Sequence, residues 1–301
     1  MKKLYGITTP IVTPFNENDT VDCSAMKEHI HFLLARGIHN IYPLGSIGEG
    51  ILLSVADRKM VAETVVKEIC GKVGVFIHVG ALSLRDTIEL AKHAYEIGAD
   101  GIGVITPMFF HSDQEDMIEY YTQISKAVPD DFPIYMYNLP GMTGNDLLPE
   151  TVAELAKRPN LSGIKNTMPS DRRISELHRV CREDFTIISG DDTNPLAGLS
   201  LGANGLITGT SNFFPELMRA LYDSVKVNDM EAAVKYQHLI YEVVDLLDND
   251  YRPFNIKAIL EMRGLKRSYS RPPLKKHVSE CEFMRLEHGI RIIFEKSGFQ
   301  I

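Results

Sequence analysis

The sequence predicts an α/β protein, a (β/α)8 TIM barrel with a C-terminal α-helical extension, and three observations point to it. Short apolar, β-branched runs alternate with longer segments of helical period, the pattern of a parallel sheet with helices outside it. Eight such units are complete by about residue 226, and a barrel of this kind usually takes ~250 residues. A doubly wound sheet is the rival, but no composition shift, glycine-serine linker or charge run marks the second domain it would bring.

In chain order, the strand candidates are residues 6–12, 38–44, 73–79, 101–105, 133–137, 161–165, 185–189 and 204–208. Each gives way to small or polar residues and then to a helical pattern, as at 54–70, 84–97 and 113–127. Ser54 and Asp113 stand where an N-cap accepts from the first unpaired amides. Gly37, Gly71 and Gly98 stand where helices stop, because glycine tolerates the left-handed backbone of a C-terminal cap. Three further helical stretches follow, 230–247, 254–263 and 279–296, so residues 1–226 are assigned to the barrel and 227–301 to a helical domain.

Composition narrows the function. With 44% hydrophobic and 24% charged residues among 301, the chain is an ordinary globular protein, neither disordered nor fibrous. The net charge of −8 comes without a basic stripe, which argues against nucleic acid or an anionic membrane as partner. No apolar run approaches the ~18 residues of a membrane span. Thr8, Thr9 and Pro10 interrupt any signal-peptide core at the start. Cys23, Cys70, Cys181 and Cys281 are widely spaced and form no C-x-x-C pair, as in a cytoplasmic protein with reduced thiols. The ten histidines contain no H-E-x-x-H; His29 and His31 read as a solvated helix face, and no metal site is expected.

In such a barrel the chemistry sits at the C-terminal ends of the strands. Lys165 closes the run 161–164 and is the only amine at a strand end. Drawn out of water there, it is a usable nucleophile toward carbonyls; otherwise it is a lysine that reaches solvent or pairs with an acid. Tyr137 is either a proton carrier or a core tyrosine, whereas Tyr135, two residues earlier on the same face, reads as core. The loop 45–50, Gly-Ser-Ile-Gly-Glu-Gly, is either a cradle of backbone N–H groups for a carboxylate or phosphate, or a plain turn. Asp191 and Asp192 suit a hydroxylated substrate, a cation or the N-terminus of the helix after Asn194.

Taken together, these residues resemble the dihydrodipicolinate synthase / N-acetylneuraminate lyase family of class I aldolases. The resemblance is strongest over residues 6–212. Gly45-Ser46-Ile47-Gly48-Glu49 is similar to the family's GTTGE, and Tyr137-Asn138-Leu139-Pro140-Gly141 to its YNxPG. Gly163-Ile164-Lys165 and Ser189-Gly190-Asp191-Asp192 follow in the same order, while 77–83 and 98–101 look like the neuraminate lyase branch. The resemblance implies a homotetramer, a dimer of dimers, with no metal or organic cofactor. It implies that Lys165 forms an imine with pyruvate or another 2-keto acid, with Tyr137 as acid and base. The amides of Ser46 and Ile47 would hold the carboxylate, and Thr167, Gly190, Asp191, Asp192, Thr208, Met142 and Phe110 are further candidate substrate contacts.

The chain departs from the family pattern at informative places. Ile47 stands at the second threonine of GTTGE, and Met108, Phe109 and Phe110 follow Pro107 where a second tyrosine is usual, which implies an apolar pocket. Met142 replaces the arginine of the dihydrodipicolinate synthases, and Asp192, Thr193 and Gly209 replace the Asp, Glu and Ser of neuraminate lyases. The activity expected is aldol cleavage or condensation of a hydroxylated or partly apolar 2-keto acid. The alternatives are a 4-hydroxy-tetrahydrodipicolinate synthase, joining pyruvate to aspartate semialdehyde, and a non-catalytic keto-acid binder.

Overall fold

Glycine and β-branched residues build the strands, and the computed structural model, which describes residues 3–168, 170–248 and 250–300, closes them into a barrel. The strands are β1 (Gly6–Thr9), β2 (Asn40–Ile41), β3 (Gly74–His78), β4 (Gly101–Ile105), β5 (Ile134–Asn138), β6 (Leu161–Asn166), β7 (Thr186–Ser189) and β8 (Gly205–Ile207). Each pairs in parallel with the next and β8 pairs with β1, so no sheet edge is exposed. Apart from Ser162, every strand residue is buried, which is why the runs read as continuously apolar rather than alternating.

The expected strands 6–12 and 38–44 are cut short for local reasons. β1 ends before Pro10, which has no N–H for the ladder. After β2, Pro43 lacks the same donor and Leu44 takes a left-handed backbone, φ 67°, that turns the chain out of the sheet. Inside the barrel, Leu4, Tyr42, Phe76, Tyr135, Ile188 and Ile207 pack together as the floor below the mouth. Large side chains there face glycines: a Cβ on Gly103 would lie 1.8 Å from the Tyr42 hydroxyl oxygen, and one on Gly163 2.8 Å from the Tyr135 ring. Tyr135 is a core residue, as read, its hydroxyl oxygen accepting from the Leu4 N–H at 2.9 Å.

The helices are α1 (Cys23–Leu34), α2 (Val55–Ile69), α3 (Leu84–Glu96), α4 (Gln114–Lys126), α5 (Pro140–Thr143), α6 (Pro149–Leu155), α7 (Asp171–Val180), α8 (Pro195–Ser200), α9 (Pro215–Lys226), α10 (Met230–Leu246), α11 (Pro253–Met262) and α12 (Glu280–Ser297). Their ends follow the predicted signals. Ser54 accepts from the Asp57 N–H, Asp113 and Asp116 cap each other reciprocally, and Gly37, Gly71 and Gly98 all have positive φ. α12 packs on α10 and α11, and its Phe294 stacks on Phe214 of the β8–α9 connection with centroids 3.9 Å apart.

One reading is corrected. His29 is not on a solvated face: it is 1% exposed, its Nε2 lies 3.1 Å from the Asn212 carbonyl oxygen, and burial lowers its pKa to about 4. Only His31 is on the solvated side, paired with Glu68 at 2.6 Å. Among the described residues, no helix is long and apolar enough to cross a membrane, and no three His, Cys, Asp or Glu side chains gather as a metal site.

Candidate active site

Register puts the two leading candidates side by side. Ile105 of β4 lies opposite Tyr137 of β5, and Tyr137 opposite Lys165 of β6. Lys165 is 6% exposed, and its Nζ lies 3.9 Å from the centre of the Tyr137 ring and 5.9 Å from that of Tyr42. Among the described residues, no acid lies within ion-pair distance of it. The structure thus supports neither bland alternative for this lysine, since it is neither solvated nor neutralised.

Room for the lysine comes from Gly190, which follows β7. A Cβ there would stand 2.7 Å from Lys165 Cε and 2.0 Å from Thr167 Oγ1. Gly190→Ala is therefore expected to shift the amine and lower turnover by about a hundredfold, as a misplacement near 1 Å does. The clash should lower the melting temperature while circular dichroism still reports a folded barrel; an alanine variant of unchanged activity would show that the lysine does not depend on this contact.

Several buried polar atoms at the strand ends have no hydrogen-bond partner among the described residues: Thr167 Oγ1, Thr208 Oγ1 and the Tyr42 hydroxyl. Leaving such groups unpaired costs roughly 1–3 kcal/mol each, so their concentration here marks a place prepared for a polar ligand. His78 packs between the rings of Tyr42 and Tyr137, at 6.0 and 6.1 Å. Burial, with the charges of Arg58 and Lys165, holds its imidazole pKa well below the usual value and keeps it neutral. Arg58, itself buried, donates to the carbonyls of His78 and Gly80, both at 2.9 Å, and fixes the end of β3.

The two aspartates part company. Asp191 closes a turn, Oδ1 accepting from the Thr193 N–H at 2.8 Å and the Thr193 hydroxyl at 2.7 Å. Asp192, partly buried, accepts from the Thr210 N–H at 3.3 Å. Desolvation pushes its pKa up to about 7, against the pull of the Thr210 amide and the Lys165 charge. Asp192 is thus an acid whose charge changes near neutrality and which feels the charge of the lysine.

In the glycine-rich loop after β2, among the described residues, the N–H groups of Ser46 and Ile47 donate to no protein acceptor, and Ser46 is exposed. A Cβ on Gly50 would fall 1.9 Å from the Leu44 carbonyl oxygen, so glycine is required. The Ile47 side chain and the ring of Tyr251 both lie against Gly209, where an added Cβ would meet each at 2.9 Å. Tyr251, from the α10–α11 connection, was not among the candidates because it stands at no strand end; its hydroxyl oxygen accepts from Thr210 Oγ1 at 3.0 Å.

Tyr137 is followed by Asn138, whose amide donates to Asp146 at 2.8 Å and Asn166 at 3.1 Å, locking the loop beyond β5. Phe110 and Met142 are not drawn in beside the lysine; they stand at the rim, 76% and 75% exposed. Met108 instead packs against Ile105, Tyr137 and Leu139. Of the three apolar residues after Pro107, it is thus Met108 that lies against Tyr137.

Residues 3–288 match the Dihydrodipicolinate synthetase family. The chain belongs to this family. It is a lyase of the aldolase type on the family's barrel. A 4-hydroxy-tetrahydrodipicolinate synthase of Methanospirillum hungatei is 32% identical over 272 residues, 89% of this chain and 92% of the relative. Among solved members of the dihydrodipicolinate synthetase fold, the sialic acid aldolase of Ruminococcus gnavus superposes with a TM-score of 0.93 at 28% identity, covering 98% of both chains. YagE, a prophage protein of E. coli K12 solved in complex with pyruvate, superposes at 0.91 with 29% identity, covering 97% of this chain and 99% of its own.

Proposed function

We propose that Lys165 forms an imine with the keto carbon of pyruvate or a related 2-keto acid, and that the enzyme makes or breaks the adjacent C–C bond. The observation that carries this reading is a buried amine that, among the described residues, makes no ion pair and lies on the face of Tyr137. The amine adds to C2, and water leaves as the imine forms. In cleavage, Tyr137 takes the proton of the C4 hydroxyl as the C3–C4 pair moves into the imine, releasing an aldehyde and leaving an enamine. Protonation at C3 and addition of water then return the lysine and free pyruvate; condensation runs the same steps backwards. The free amides of Ser46 and Ile47 are suited to the substrate carboxylate, and YagE's pyruvate complex supports the choice of keto acid.

The aldehyde half meets two kinds of surface. Ile47, Tyr251 and Met108 offer apolar contact, while Asp192, Thr167 and Thr208 offer hydrogen bonds, which favours a substrate that is hydroxylated at one part and apolar at another. The synthase reading, condensation with aspartate semialdehyde, is favoured by the name of the Methanospirillum relative. Against it, the exposed Met142 brings no charge for that aldehyde's carboxylate. Phe109 and Phe110, 85% and 76% exposed at the rim, are assigned to a contact between copies in a homotetramer.

The deciding experiment treats the protein with pyruvate and borohydride and maps the adduct by mass spectrometry. A reduced pyruvyl group on Lys165 supports the imine; its absence with every 2-keto acid tried overturns it. An aldehyde panel follows, with aspartate semialdehyde included: turnover excludes a mere binder, and its aldehyde identifies the reaction. A carboxyl with a pKa of about 7 is anionic above that pH and neutral below it, and the anion is the stronger acceptor. For a hydroxylated substrate, kcat/KM should therefore fall as pH drops through about 7, and Asp192→Asn should be low and flat across that range.

A further inference from the structure

We infer that Lys257 is a positioning residue: its buried ion pair with Glu49 lets the C-terminal helical segment set the shape of the loop that holds the substrate carboxylate. This rests on the assignment of Ser46 and Ile47 above. Lys257 lies on α11, 208 residues from Glu49, yet its Nζ is 2.5 Å from Glu49 Oε1 and both side chains are fully buried. The same Nζ donates to the Tyr269 carbonyl at 2.6 Å. The other carboxylate oxygen, Oε2, accepts from the Arg271 N–H at 2.8 Å. Arg271 is anchored in turn on Asp57 at 3.1 Å and on the carbonyls of Leu52 and Asp19 at 3.3 and 2.6 Å.

The loop needs holding. Leu44 and Glu49, which flank the amide-bearing residues, both have left-handed backbones, φ 67° and 56°, although neither is glycine. Such residues cost about 1–3 kcal/mol each and persist only where surrounding contacts over-determine them. Two contacts do so here: the Thr13 hydroxyl donates to the Gly48 carbonyl at 2.6 Å, and the Glu49 carboxylate is gripped from the C-terminal side. The Glu49 N–H donates to the Ser46 carbonyl at 3.1 Å, so a shift of Glu49 passes directly to the amides of Ser46 and Ile47. A buried ion pair is a weak source of stability, since hydrocarbon of the same shape does as well or better. Its presence under a strained loop is accounted for by the geometry it imposes.

The test compares the full-length wild type with Lys257→Met and with the double variant Lys257→Met/Glu49→Gln, which leaves no unpaired charge and so keeps a folded form available. Two quantities are read: the pyruvate concentration giving half-maximal borohydride trapping at Lys165, and amide hydrogen exchange of the peptide spanning residues 44–50. Loss of the strut should raise half-saturation about tenfold or more, with trapping at saturating pyruvate nearly unchanged, because the misplaced amides weaken the hold on the carboxylate while Lys165 itself stays in place. Exchange in the loop should rise in both variants. A lower melting temperature with half-saturation and loop exchange both unchanged would overturn the proposal and leave a structural pair only. If the wild type traps no keto acid while loop exchange still rises in the variants, the strut stands and the imine reading falls.

Discussion

Replacing Lys165 by alanine is expected to abolish both the borohydride-trapped adduct and turnover, with a loss on the order of 10⁴-fold or more, the scale seen when a covalent nucleophile is removed. The fold should survive. Lys165 makes no ion pair among the described residues, so its removal orphans no buried charge, and the variant also relieves the mouth of a desolvated amine. Lys165→Met keeps the stem that packs beside Gly190 and should be as inactive, which separates chemistry from packing. Lys165→Arg should fail as well, because a guanidinium remains charged and does not form an imine. Activity within a few fold of wild type in the alanine variant would defeat the proposed function.

Tyr137→Phe is expected to divide the reaction. The aromatic face on which the amine rests, 3.9 Å from Nζ, is retained, so pyruvate should still be trapped at Lys165. The step that moves a proton on the aldehyde side loses its carrier, and kcat should drop by about 10²–10⁴-fold. Rapid quench with borohydride reports imine formation, and steady-state assay with the identified aldehyde reports the whole cycle. Equal losses in both would place Tyr137 in imine formation itself, and no loss in either would return it to the core. Neither Ile47 nor Met108, the residue packed on Tyr137 from the β4–α4 connection, carries a hydroxyl to replace that of Tyr137.

Much of this was legible in the residues because a parallel barrel is buried on both faces, so its strands appear as uninterrupted apolar runs, and its chemistry is confined to the residues that end them. Lys165, Tyr137 and Gly190 could be found that way. The boundary of β2 could not, since Leu44 leaves the sheet through a left-handed backbone that its side chain does not announce. The same holds for Phe109, φ 77°, where the chain turns so that Met108 faces Tyr137 and the phenylalanines face outward. His29 appeared as part of a polar helix face because its partner, the Asn212 carbonyl, is 183 residues away. Tyr251, Arg271 and Lys257 were missed for this reason too: their roles depend on distant contacts with the loop after β2 and with the turn after β8, and no local periodicity encodes those.

The glycines that face Tyr42, Tyr135 and Lys165 across the barrel have a bearing on how such an enzyme can change. Each large side chain occupies space that a glycine gives up by having no Cβ: Gly163 on the next strand for Tyr135, Gly103 on β4 for Tyr42 at the end of β2, and Gly190 just after β7 for Lys165. A single substitution at Gly103, Gly163 or Gly190 collides with an existing side chain, and a single reduction at its counterpart opens a void. Viable steps are therefore exchanges of size made at two positions together. Natural drift in the barrel wall should be slow and correlated between these facing positions, while rim positions such as Met142 and Phe110 vary one at a time. A library that randomises these pairs jointly should yield folded variants with reshaped sites far more often than one that randomises the same positions singly.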